Sequence, residues 1–329
     1  MPTPAPKPSL LLTRRLPEAV QARASRDYDA QLNLADDLWA LDPAEIARRA
    51  AACNASAILC AAGDAMNAAC IAALPASVKL IATFSVGTDH IDLAAAKARG
   101  IPVANTPDVL SFATAEIAFT LMLMAARRAG EGERLLRAGN WGGWAPTQLM
   151  GVTLEGKKLG ILGMGRIGRE LAKMARGFSM EVHYRNRSRL SASEEAGAIF
   201  HAEDASFLAG IDVLSMHIPG GAATRQWLNA ERIGLLKRGA IVVNTGRGTT
   251  VDDAALVAAL QSGQVLAAGL DVYDGEPRVF PGYLGLENVA LLPHLGSGAV
   301  ETRDAMGFRA LDSVDAVVLR GEKAPWEVG

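Results

Sequence analysis

The chain has 329 residues, a length that suits two domains of ~150 residues each. Half of the residues are hydrophobic and 21% are charged, which is typical of globular proteins. The 33 basic and 35 acidic side chains leave a formal net charge of −2. Without a basic excess, the composition excludes nucleic acid and an anionic membrane surface as main partners.

The sequence carries no pattern typical of secretion, membrane insertion or metal binding. A secretory signal needs a longer apolar centre than the three leucines at 10–12. The longest strongly apolar stretch, 117–126, is far shorter than the ~20 residues that cross a bilayer. Cys53, Cys60 and Cys70 share no metal-ligand spacing with the histidines. We therefore expect reduced structural thiols, no metal and a cytoplasmic protein.

Short apolar runs alternate with amphipathic stretches over the first hundred residues. In chain order, the pattern predicts strands at 9–13, 56–60, 79–84 and 101–104, and helices at 43–52, 64–73 and 93–99. This alternation indicates a parallel sheet with helices on its faces. The residues Asn-Thr-Pro-Asp at 105–108 end this first series.

A long apolar helix is predicted next, over 114–128, followed by a loop rich in Gly and Trp over 138–151. A second series of strands then follows, at 158–162, 181–184, 198–200, 211–216, 240–244, 266–271 and 288–292. Helices at 166–178 and 252–262 lie between these strands, and a last helix over about 298–320 follows the completed series. The second series therefore predicts another α/β domain.

A glycine-rich turn at 163–168 joins the first strand of the second series to its helix. In this context, Gly163 allows a tight turn, Gly165 lets a pyrophosphate approach the backbone, and Gly168 lets the helix pack on the strand. The helix N-terminus offers N–H groups and a partial positive charge to phosphates. The motif predicts a dinucleotide site, with an ordinary strand–turn–helix as the alternative.

The type of dinucleotide is indicated at the end of the next strand, where residues 184–189 are Tyr-Arg-Asn-Arg-Ser-Arg. An acidic residue here would bind the ribose hydroxyls and repel a 2′-phosphate. The segment has no acid, and its arginines surround Asn186 and Ser188, which can donate hydrogen bonds to phosphate oxygens. The segment therefore predicts a preference for NADP(H), with a solvated basic loop as the alternative.

Arg247, Glu276 and His294 lie in polar segments that follow the last three predicted strands. The segments are Asn-Thr-Gly-Arg-Gly at 244–248, Asp-Val-Tyr-Asp-Gly-Glu-Pro at 271–277 and Pro-His-Leu-Gly-Ser at 293–297. Each alone suits a surface turn. Because substrates of open α/β sheets bind beyond the carboxyl ends of the strands, we expect the three side chains to share a site.

This set of side chains suits hydride transfer to a ketone. A histidine can supply the proton that the developing oxyanion needs near neutral pH. A carboxylate beside it favours the imidazolium and fixes the tautomer of the ring. A guanidinium can hold the carboxylate or carbonyl oxygen of the substrate.

With these motifs, the segments SVGTDHID (85–92), NTPDVLSFATAE (105–116) and WGGWAPTQLMG (141–151) make the chain resemble a D-isomer-specific 2-hydroxyacid dehydrogenase, closest to the glyoxylate/hydroxypyruvate reductase branch. The resemblance extends from about residue 8 to about residue 321. It implies two α/β domains with doubly wound parallel sheets, a Rossmann-type dinucleotide domain inserted in a flavodoxin-like substrate domain. The implied extents are 1–106 and 295–329 for the substrate domain and 107–294 for the dinucleotide domain.

The resemblance also implies a role for each matching residue. Arg247 would bind substrate, Glu276 would orient and charge the acid, and His294 would be the acid/base. The backbone N–H groups of Val86 and Gly87 would hold the substrate carboxylate. The implied cofactor-binding residues are Thr114, Gly163, Gly165, Arg166, Ile167, Gly168, Asn186, Arg187, Ser188, His217, Thr245, Asp271 and Gly296.

Within that set, the resemblance places Asp271 at the nicotinamide carboxamide, Thr114 near the nicotinamide, and Asn186, Arg187 and Ser188 at the ribose phosphate. It further implies a homodimer formed through the helix at 114–128 and the loop that follows, with Trp141 and Trp144 as the two candidates to reach the partner's site.

The chain departs from the family pattern in two places. After the fourth strand of the second series, where the family often has Cys-Pro-Leu, this chain has His-Ile-Pro-Gly-Gly at 217–221. Contact with the adenosine phosphate region and simple packing are equally good interpretations of His217. Ser111 and Phe112 replace a small polar pair, so we expect Phe112 to narrow the mouth of the site.

The predicted activity is the reduction of glyoxylate or hydroxypyruvate to the D-2-hydroxy acid with NADPH, with NADH also possible. Two alternatives stay open: a reductase of larger aliphatic or aromatic 2-keto acids, and a nucleotide-sensing, corepressor-like binding protein on the same scaffold. Phosphoglycerate dehydrogenation is disfavoured because the segment at 184–189 lacks an acid. Formate dehydrogenation is disfavoured because that branch has Gln where Glu276 stands.

Overall fold

The structure is a computed structural model that describes residues 6–34 and 41–329. Its strands are β1 (Ser9–Leu12), β2 (Asp29–Gln31), β3 (Ala57–Ala61), β4 (Leu80–Phe84), β5 (Val103–Ala104), β6 (Lys158–Leu162), β7 (Glu181–Arg185), β8 (Ile199–Phe200), β9 (Val213–Met216), β10 (Ala240–Asn244), β11 (Val265–Leu270), β12 (Val289–Leu291) and β13 (Glu327–Val328).

The α-helices are α1 (Glu18–Asp27), α2 (Pro43–Ala52), α3 (Ala68–Ala73), α4 (Leu93–Ala98), α5 (Ser111–Ala126), α6 (Ala129–Arg137), α7 (Arg166–Gly177), α8 (Ala192–Glu195), α9 (Asp204–Gly210), α10 (Ala230–Leu235), α11 (Asp253–Ser262), α12 (Pro281–Leu284) and α13 (Val300–Val314). A short 3-10 helix, Gly248–Thr250, precedes α11, and a π-helix, Asp315–Leu319, continues α13.

The chain divides into two compact units. The first unit ends at Leu110 and resumes at Ala299, and the second unit is Ser111–Gly298, inserted between these points. The sequence-based domain boundaries, 106/107 and 294/295, each lie four residues before the points at which the chain passes from one unit to the other, 110/111 and 298/299. Within the described ranges, every helix is too short or too polar to span a bilayer.

The sheet of the first unit has the strand order β13-β5-β4-β3-β1-β2. Strands β1 to β5 are parallel, in the order typical of flavodoxin-like folds. Apolar side chains from α2, α3 and α4 cover one face, and α1 and α13 cover the other. The predicted fold class, α/β with doubly wound parallel sheets, is confirmed, and the short edge strand β13 adds an antiparallel pair with β5.

The sheet of the second unit has the strand order β12-β11-β10-β9-β6-β7-β8, and every pair in it is parallel. The chain runs outward from β6 to β8, then returns to place β9 beside β6 and runs outward in the other direction. This reversal between β6 and β9 creates a crevice beyond the carboxyl ends of both strands, where open α/β sheets bind their ligands. Two predicted features, the glycine-rich turn after β6 and His217 after β9, flank that crevice.

Helix α5 is the central helix of the second unit. It packs against β10, β11 and α7, and nine of its side chains are buried. It begins at Ser111, three residues earlier than predicted, and ends at Ala126, where Arg128 takes a left-handed backbone conformation with φ 53°. The apolar pattern identified this helix because most of its side chains are buried, while one face, with Phe112, Glu116 and Thr120, is exposed.

Candidate active site

Polar side chains gather at the carboxyl ends of β10, β11 and β12 in the second unit. The segment at 244–248 follows β10, Asp271 follows β11, and His294 follows β12 after a short turn. Because the three strands are adjacent and parallel, their carboxyl ends lie at one edge of the sheet. The side chains that the sequence predicted to share a site therefore start from neighbouring positions.

His294 and Glu276 form a direct hydrogen bond. His294 Nδ1 lies 2.8 Å from Glu276 Oε2, and the other carboxylate oxygen, Oε1, accepts the backbone N–H of Tyr273 at 2.9 Å. With Nδ1–H given to the carboxylate, the ring presents Nε2 as the atom that can exchange a proton with a ligand. Glu276 thus fixes both the tautomer and the orientation of the ring.

The electrostatics of this pair favour a charged imidazolium. The hydrogen bond from Glu276 raises the pKa of His294 above its ordinary value, against the opposing effect of burial. Burial alone would raise the pKa of Glu276, but the hydrogen bond and charge of His294 hold it below its usual range, with a smaller contribution from Arg247. His294 is therefore protonated over a wider pH range than a solvent-exposed histidine.

The backbone at His294 is strained. Its φ is 54°, in the left-handed region that residues other than glycine rarely adopt. The backbone N–H of His294 donates to Asp271 O at 2.9 Å, which holds the turn against β11. Strain of this kind persists only where surrounding contacts enforce it, and it is found most often at functional sites.

Arg247 lies on a turn that is closed by its own neighbours. Its carbonyl accepts Asn244 Nδ2 at 3.0 Å and Thr250 Oγ1 at 2.6 Å. A Cβ on Gly246 would come within 2.9 Å of Ile218 O, and one on Gly248 would overlap the backbone of Tyr273. The two glycines therefore let this turn fit between neighbouring loops, which fixes where the guanidinium starts.

Asp271 lies at the carboxyl end of β11 and organises the segment after His294. Its two carboxylate oxygens accept the backbone N–H groups of Leu295 at 2.6 Å and Gly296 at 2.8 Å. A Cβ on Gly296 would contact both Thr114 and Asp271. Burial raises the pKa of Asp271. The structure thus places Gly296, an implied cofactor-binding residue, against the two residues that the resemblance places near a nicotinamide, Asp271 and Thr114.

The glycine-rich turn has the shape that a dinucleotide pyrophosphate requires. Gly163 has φ +89°, and a Cβ on Gly168 would lie 2.8 Å from Gly163 O. At Gly165 no atom lies within 4 Å of the Cβ position, so the backbone there is open to a ligand. Helix α7 begins immediately afterwards, at Arg166, and the N–H groups of its first turn, Ile167 included, can bind phosphate oxygens. These residues fit a dinucleotide.

The segment after β7 is less uniformly cationic than its sequence indicates. Arg185 is paired with Asp204 (Nε–Oδ1 2.9 Å), and Arg189 is paired with Glu195 (Nε–Oε1 2.7 Å). Asn186 Oδ1 accepts the N–H of Met164 at 2.7 Å, which ties this segment to the glycine-rich turn.

Arg187, by contrast, is exposed and forms no ion pair with any residue that the structure describes. Three groups of this segment therefore remain available to a ribose phosphate: the Arg187 guanidinium, the hydroxyl of the exposed Ser188 and the amide nitrogen of Asn186.

In the first unit, the loop after β4 exposes backbone donors in a fixed orientation. Asn105 Nδ2 donates to Val86 O at 2.8 Å, and Ser85 Oγ donates to Gly87 O at 2.7 Å. Thr83 Oγ1 lies 2.8 Å from Ser85 Oγ and 2.9 Å from His90 Nε2, so Ser85 is itself held. The carbonyl of Ser85 also accepts the N–H of Thr106 at 2.9 Å. Because a trans peptide points its N–H away from its carbonyl, the bonds to Ser85 O and Val86 O turn the N–H groups of Val86 and Gly87 away from Thr106 and Asn105.

His217 has partners on both ring nitrogens. Nε2 lies 2.9 Å from Ser215 Oγ on β9, and Nδ1 lies 3.2 Å from Thr245 Oγ1 beyond β10. Removal of the ring from water lowers the pKa of His217 to about 4. The side chain is therefore a neutral link between two strand ends, and neither of the two sequence-based interpretations included such a link.

Several residues of the site carry no signal in a single sequence. The hydroxyl of Tyr273 lies 3.0 Å from Leu270 O and 2.9 Å from Leu292 O, so it joins the ends of β11 and β12 while its N–H binds Glu276. Ser85 and Asn105 act through contacts with one loop. Among the described residues, no group of three or more His, Cys, Asp or Glu side chains is arranged to hold a metal ion.

Comparisons with known proteins agree with this geometry. Residues 119–296 match the family described as D-isomer specific 2-hydroxyacid dehydrogenase, NAD binding domain. A glycerate dehydrogenase from Hyphomicrobium methylovorum is 43% identical over 313 residues, which are 94% of this chain and 96% of that protein. A glyoxylate reductase from Thermococcus litoralis is 42% identical over 233 residues, 70% of each chain.

Among solved structures, an NADPH-dependent glyoxylate/hydroxypyruvate reductase from Sinorhizobium meliloti, in complex with NADP and malonate, superposes with a TM-score of 0.84. Its sequence is 32% identical, and the superposition covers 98% of this chain and 97% of that one. The matches are long, and one α/β unit is inserted in the other. The chain therefore belongs to the D-isomer specific 2-hydroxyacid dehydrogenase family.

Proposed function

We propose that this enzyme reduces a small 2-keto acid, glyoxylate or hydroxypyruvate, to the D-2-hydroxy acid, with NADPH as the preferred hydride donor. The observation that carries the proposal is the His294–Glu276 pair, a charged acid held at 2.8 Å by its carboxylate, beside the fixed turn that bears Arg247. That combination provides a proton and a permanent positive charge, the two things that a reacting 2-keto acid requires.

The roles divide among the chain's own residues. A bound nicotinamide dinucleotide would supply the hydride. His294 Nε2 gives its proton to the carbonyl oxygen of the substrate, and Glu276 keeps the ring charged until it does so. Arg247 stabilises the negative charge that develops on that oxygen. The N–H groups of Val86 and Gly87 bind the substrate carboxylate.

The choice of a small substrate rests on the relatives. One is named glycerate dehydrogenase and another glyoxylate reductase, and the solved structure is named a reductase of both glyoxylate and hydroxypyruvate. Glycerate and hydroxypyruvate are the two sides of one redox pair, so these names describe a single chemistry.

The preference for NADPH rests on the segment after β7. Arg187 is the cation there that no carboxylate neutralises in the described part of the chain, and Asn186 and Ser188 flank it. A guanidinium contact with a phosphate is a charge-assisted hydrogen bond, the strong class of such bonds. NADH lacks the phosphate and would lose that contact.

We also propose a homodimer. Large apolar side chains are exposed on α6 and the loop after it, with exposed fractions of 61% for Leu136, 51% for Trp141, 81% for Trp144 and 65% for Met150. Exposed apolar patches of this kind mark protein–protein interfaces, and homodimer interfaces are the more apolar ones.

A substrate panel tests the proposed activity. Glyoxylate, hydroxypyruvate, a branched aliphatic 2-keto acid and an aromatic 2-keto acid would each be assayed with NADPH and with NADH, and the chirality of the product determined. We expect the highest kcat/KM for one of the two small acids with NADPH, and a D product. Highest efficiency with a larger acid would favour the alternative of a larger-substrate reductase. Binding of NADPH without turnover of any acid would favour a nucleotide-sensing protein.

A further inference from the structure

A chain of hydrogen bonds joins Ser215, His217 and Thr245. The three side chains carry one more donor hydrogen than there are hydrogen bonds between them. Each hydroxyl carries one hydrogen and a neutral imidazole carries one, which makes three donors. Only two contacts join them, Ser215 Oγ to His217 Nε2 at 2.9 Å and His217 Nδ1 to Thr245 Oγ1 at 3.2 Å. One donor must therefore point out of the chain.

Burial decides which donor is surplus. Ser215 lies on β9 with no exposed surface, and among the described residues its hydroxyl contacts no acceptor other than His217. Its hydrogen must go to His217 Nε2, since a buried hydroxyl without an acceptor is unfavourable. The ring then carries its proton on Nδ1 and donates it to Thr245 Oγ1. A neutral ring is expected in the working range, because the pKa of His217 is lowered to about 4.

The surplus hydrogen is consequently that of Thr245. Thr245 follows β10, at the carboxyl edge of the sheet next to the crevice between β6 and β9. No other described residue accepts its hydroxyl hydrogen. A donor held in place without an acceptor in the protein indicates an acceptor on a ligand.

We propose that His217 is a positioning residue: as the Nδ1–H tautomer it holds the Thr245 hydroxyl as an outward donor to an oxygen of the bound dinucleotide. The proposal rests on the proposed function, since it assumes a dinucleotide in this crevice. In this proposal His217 does not touch the cofactor itself, and it acts on binding through Thr245 rather than by packing alone.

The tautomer is directly measurable. NMR of the cofactor-free enzyme, with 13C- and 15N-labelled histidine, separates the two neutral tautomers by their ring shifts, and a His217→Asn variant identifies the His217 signals by their loss. We expect the Nδ1–H form between about pH 6 and 8, well above the pKa of the ring. An Nε2–H ring in a protein that still binds NADPH would overturn this inference and leave the proposed function standing.

Binding of NADPH by isothermal titration provides the second measurement. Thr245→Val removes the donor and should raise the Kd for NADPH about tenfold, the loss typical of one hydrogen bond. His217→Asn keeps an N–H where Nδ1 stands, so its Kd should stay within about threefold of wild type. His217→Gln, which reaches only towards Ser215, should resemble Thr245→Val. Unfolding temperatures identify variants that lose binding through loss of fold.

If His217 only packed against its neighbours, His217→Asn and His217→Gln would change the Kd for NADPH to a similar extent. Equal effects of the two replacements, or wild-type NADPH binding by Thr245→Val, would overturn the inference. A wild-type enzyme that binds no dinucleotide at all would overturn both the inference and the proposed function.

Discussion

At the scale of single residues, the site depends on how one carboxylate sets the charge of one imidazole. Glu276 uses Oε1 to fix itself to the Tyr273 N–H and Oε2 to hold His294. The ring is therefore both oriented and kept protonated by the same group. Its strained backbone, with φ 54°, shows that the surrounding contacts hold this residue in place at some conformational cost.

Replacing Glu276 by Gln should change the pH dependence of reduction. The carboxylate raises the pKa of His294, and reduction needs the protonated ring, so activity persists up to that raised pKa and is lost above it. Gln keeps the shape but not the charge, so the pKa of His294 falls. The alkaline limb of the kcat/KM profile for the keto acid should therefore move to lower pH.

Two comparisons make this result specific. His294→Ala removes the proton donor and should lower kcat by ~10²–10⁴-fold at every pH. His201 follows β8, where its Nε2 lies 2.8 Å from His183 Nδ1, and we assign it no part in catalysis. His201→Gln should therefore leave the profile in place. An unchanged alkaline limb in Glu276→Gln would contradict the assignment of His294 as the acid.

At the scale of elements, two loops act as units, and each can be tested by one substitution with a matched control. Residues 184–189 contain two arginines that carboxylates neutralise, Arg185 and Arg189, and one, Arg187, that has no carboxylate partner among the described residues. The loop after β4 has its carbonyls held from behind by Ser85 and Asn105.

Arg187→Ala should lower kcat/KM for NADPH at least tenfold and leave that for NADH within about threefold, because only NADPH has the phosphate that Arg187 would bind. Arg189→Ala is the control, since Glu195 already neutralises Arg189. Adding Asn186→Asp should shift the preference further towards NADH, because Asp keeps the acceptor for the Met164 N–H while repelling a 2′-phosphate. Equal losses from Arg187→Ala and Arg189→Ala would count against a specific phosphate contact.

Asn105→Ala should raise the KM for the keto acid about tenfold and leave the KM for NADPH unchanged. The variant loses the bond that holds Val86 O, so the N–H groups proposed to bind the carboxylate lose their fixed direction. Asn288→Ala is the matched control, because Asn288 Nδ2 also donates to a backbone carbonyl, that of Leu266, which lies on β11 in the second unit. Steady-state kinetics in both substrates provides the measurement, and a KM change for NADPH alone would refute the prediction.

The elements themselves could be predicted from sequence where the apolar pattern was strong. Strands β6 and β10 and helix α2 have the predicted bounds because a buried strand or a capped amphipathic helix leaves a clear periodicity. Helix α6 escaped prediction because glycines interrupt it and none of its side chains is buried. Helix α1 and the short strand β2 were also missed; α1 buries only Val20 and Ala24, too few for a clear stripe.

From the sequence, only those residues of the site could be predicted that follow a strand or belong to a motif. Arg247, Glu276 and His294 were recognisable because each follows a strand of one parallel sheet. The ion pairs that neutralise Arg185 and Arg189 were not, since Asp204 and Glu195 lie 19 and 6 residues further along the chain. The partners of His217 depend on which side chains adjacent strands bring together, and one sequence does not show this.

At the scale of the whole molecule, the exposed apolar surface of α6 and its loop predicts the oligomeric state. Light scattering at micromolar concentration should give twice the chain mass of 34.5 kDa. Leu136→Asp places a charge on the patch and should shift the protein towards the monomer. Leu319→Asp, at another exposed apolar side chain in the first unit, is the control and should leave the mass unchanged. A monomeric wild type would contradict the proposed dimer.

The insertion of the second unit into the first also sets the order in which the protein can fold on the ribosome. The sheet face bearing Leu10, Leu59 and Leu80 is covered by α13, which is synthesised only after the whole inserted unit. At ~5–20 residues per second, that delay is on the order of 10–40 s. Ribosome-bound chains in which residue 298 has left the exit tunnel but α13 has not should therefore show protease resistance in the inserted unit but not in the first unit. Throughout that interval the nascent chain carries an apolar sheet face without its final helix, which makes it a client for chaperones that bind exposed hydrophobic surface.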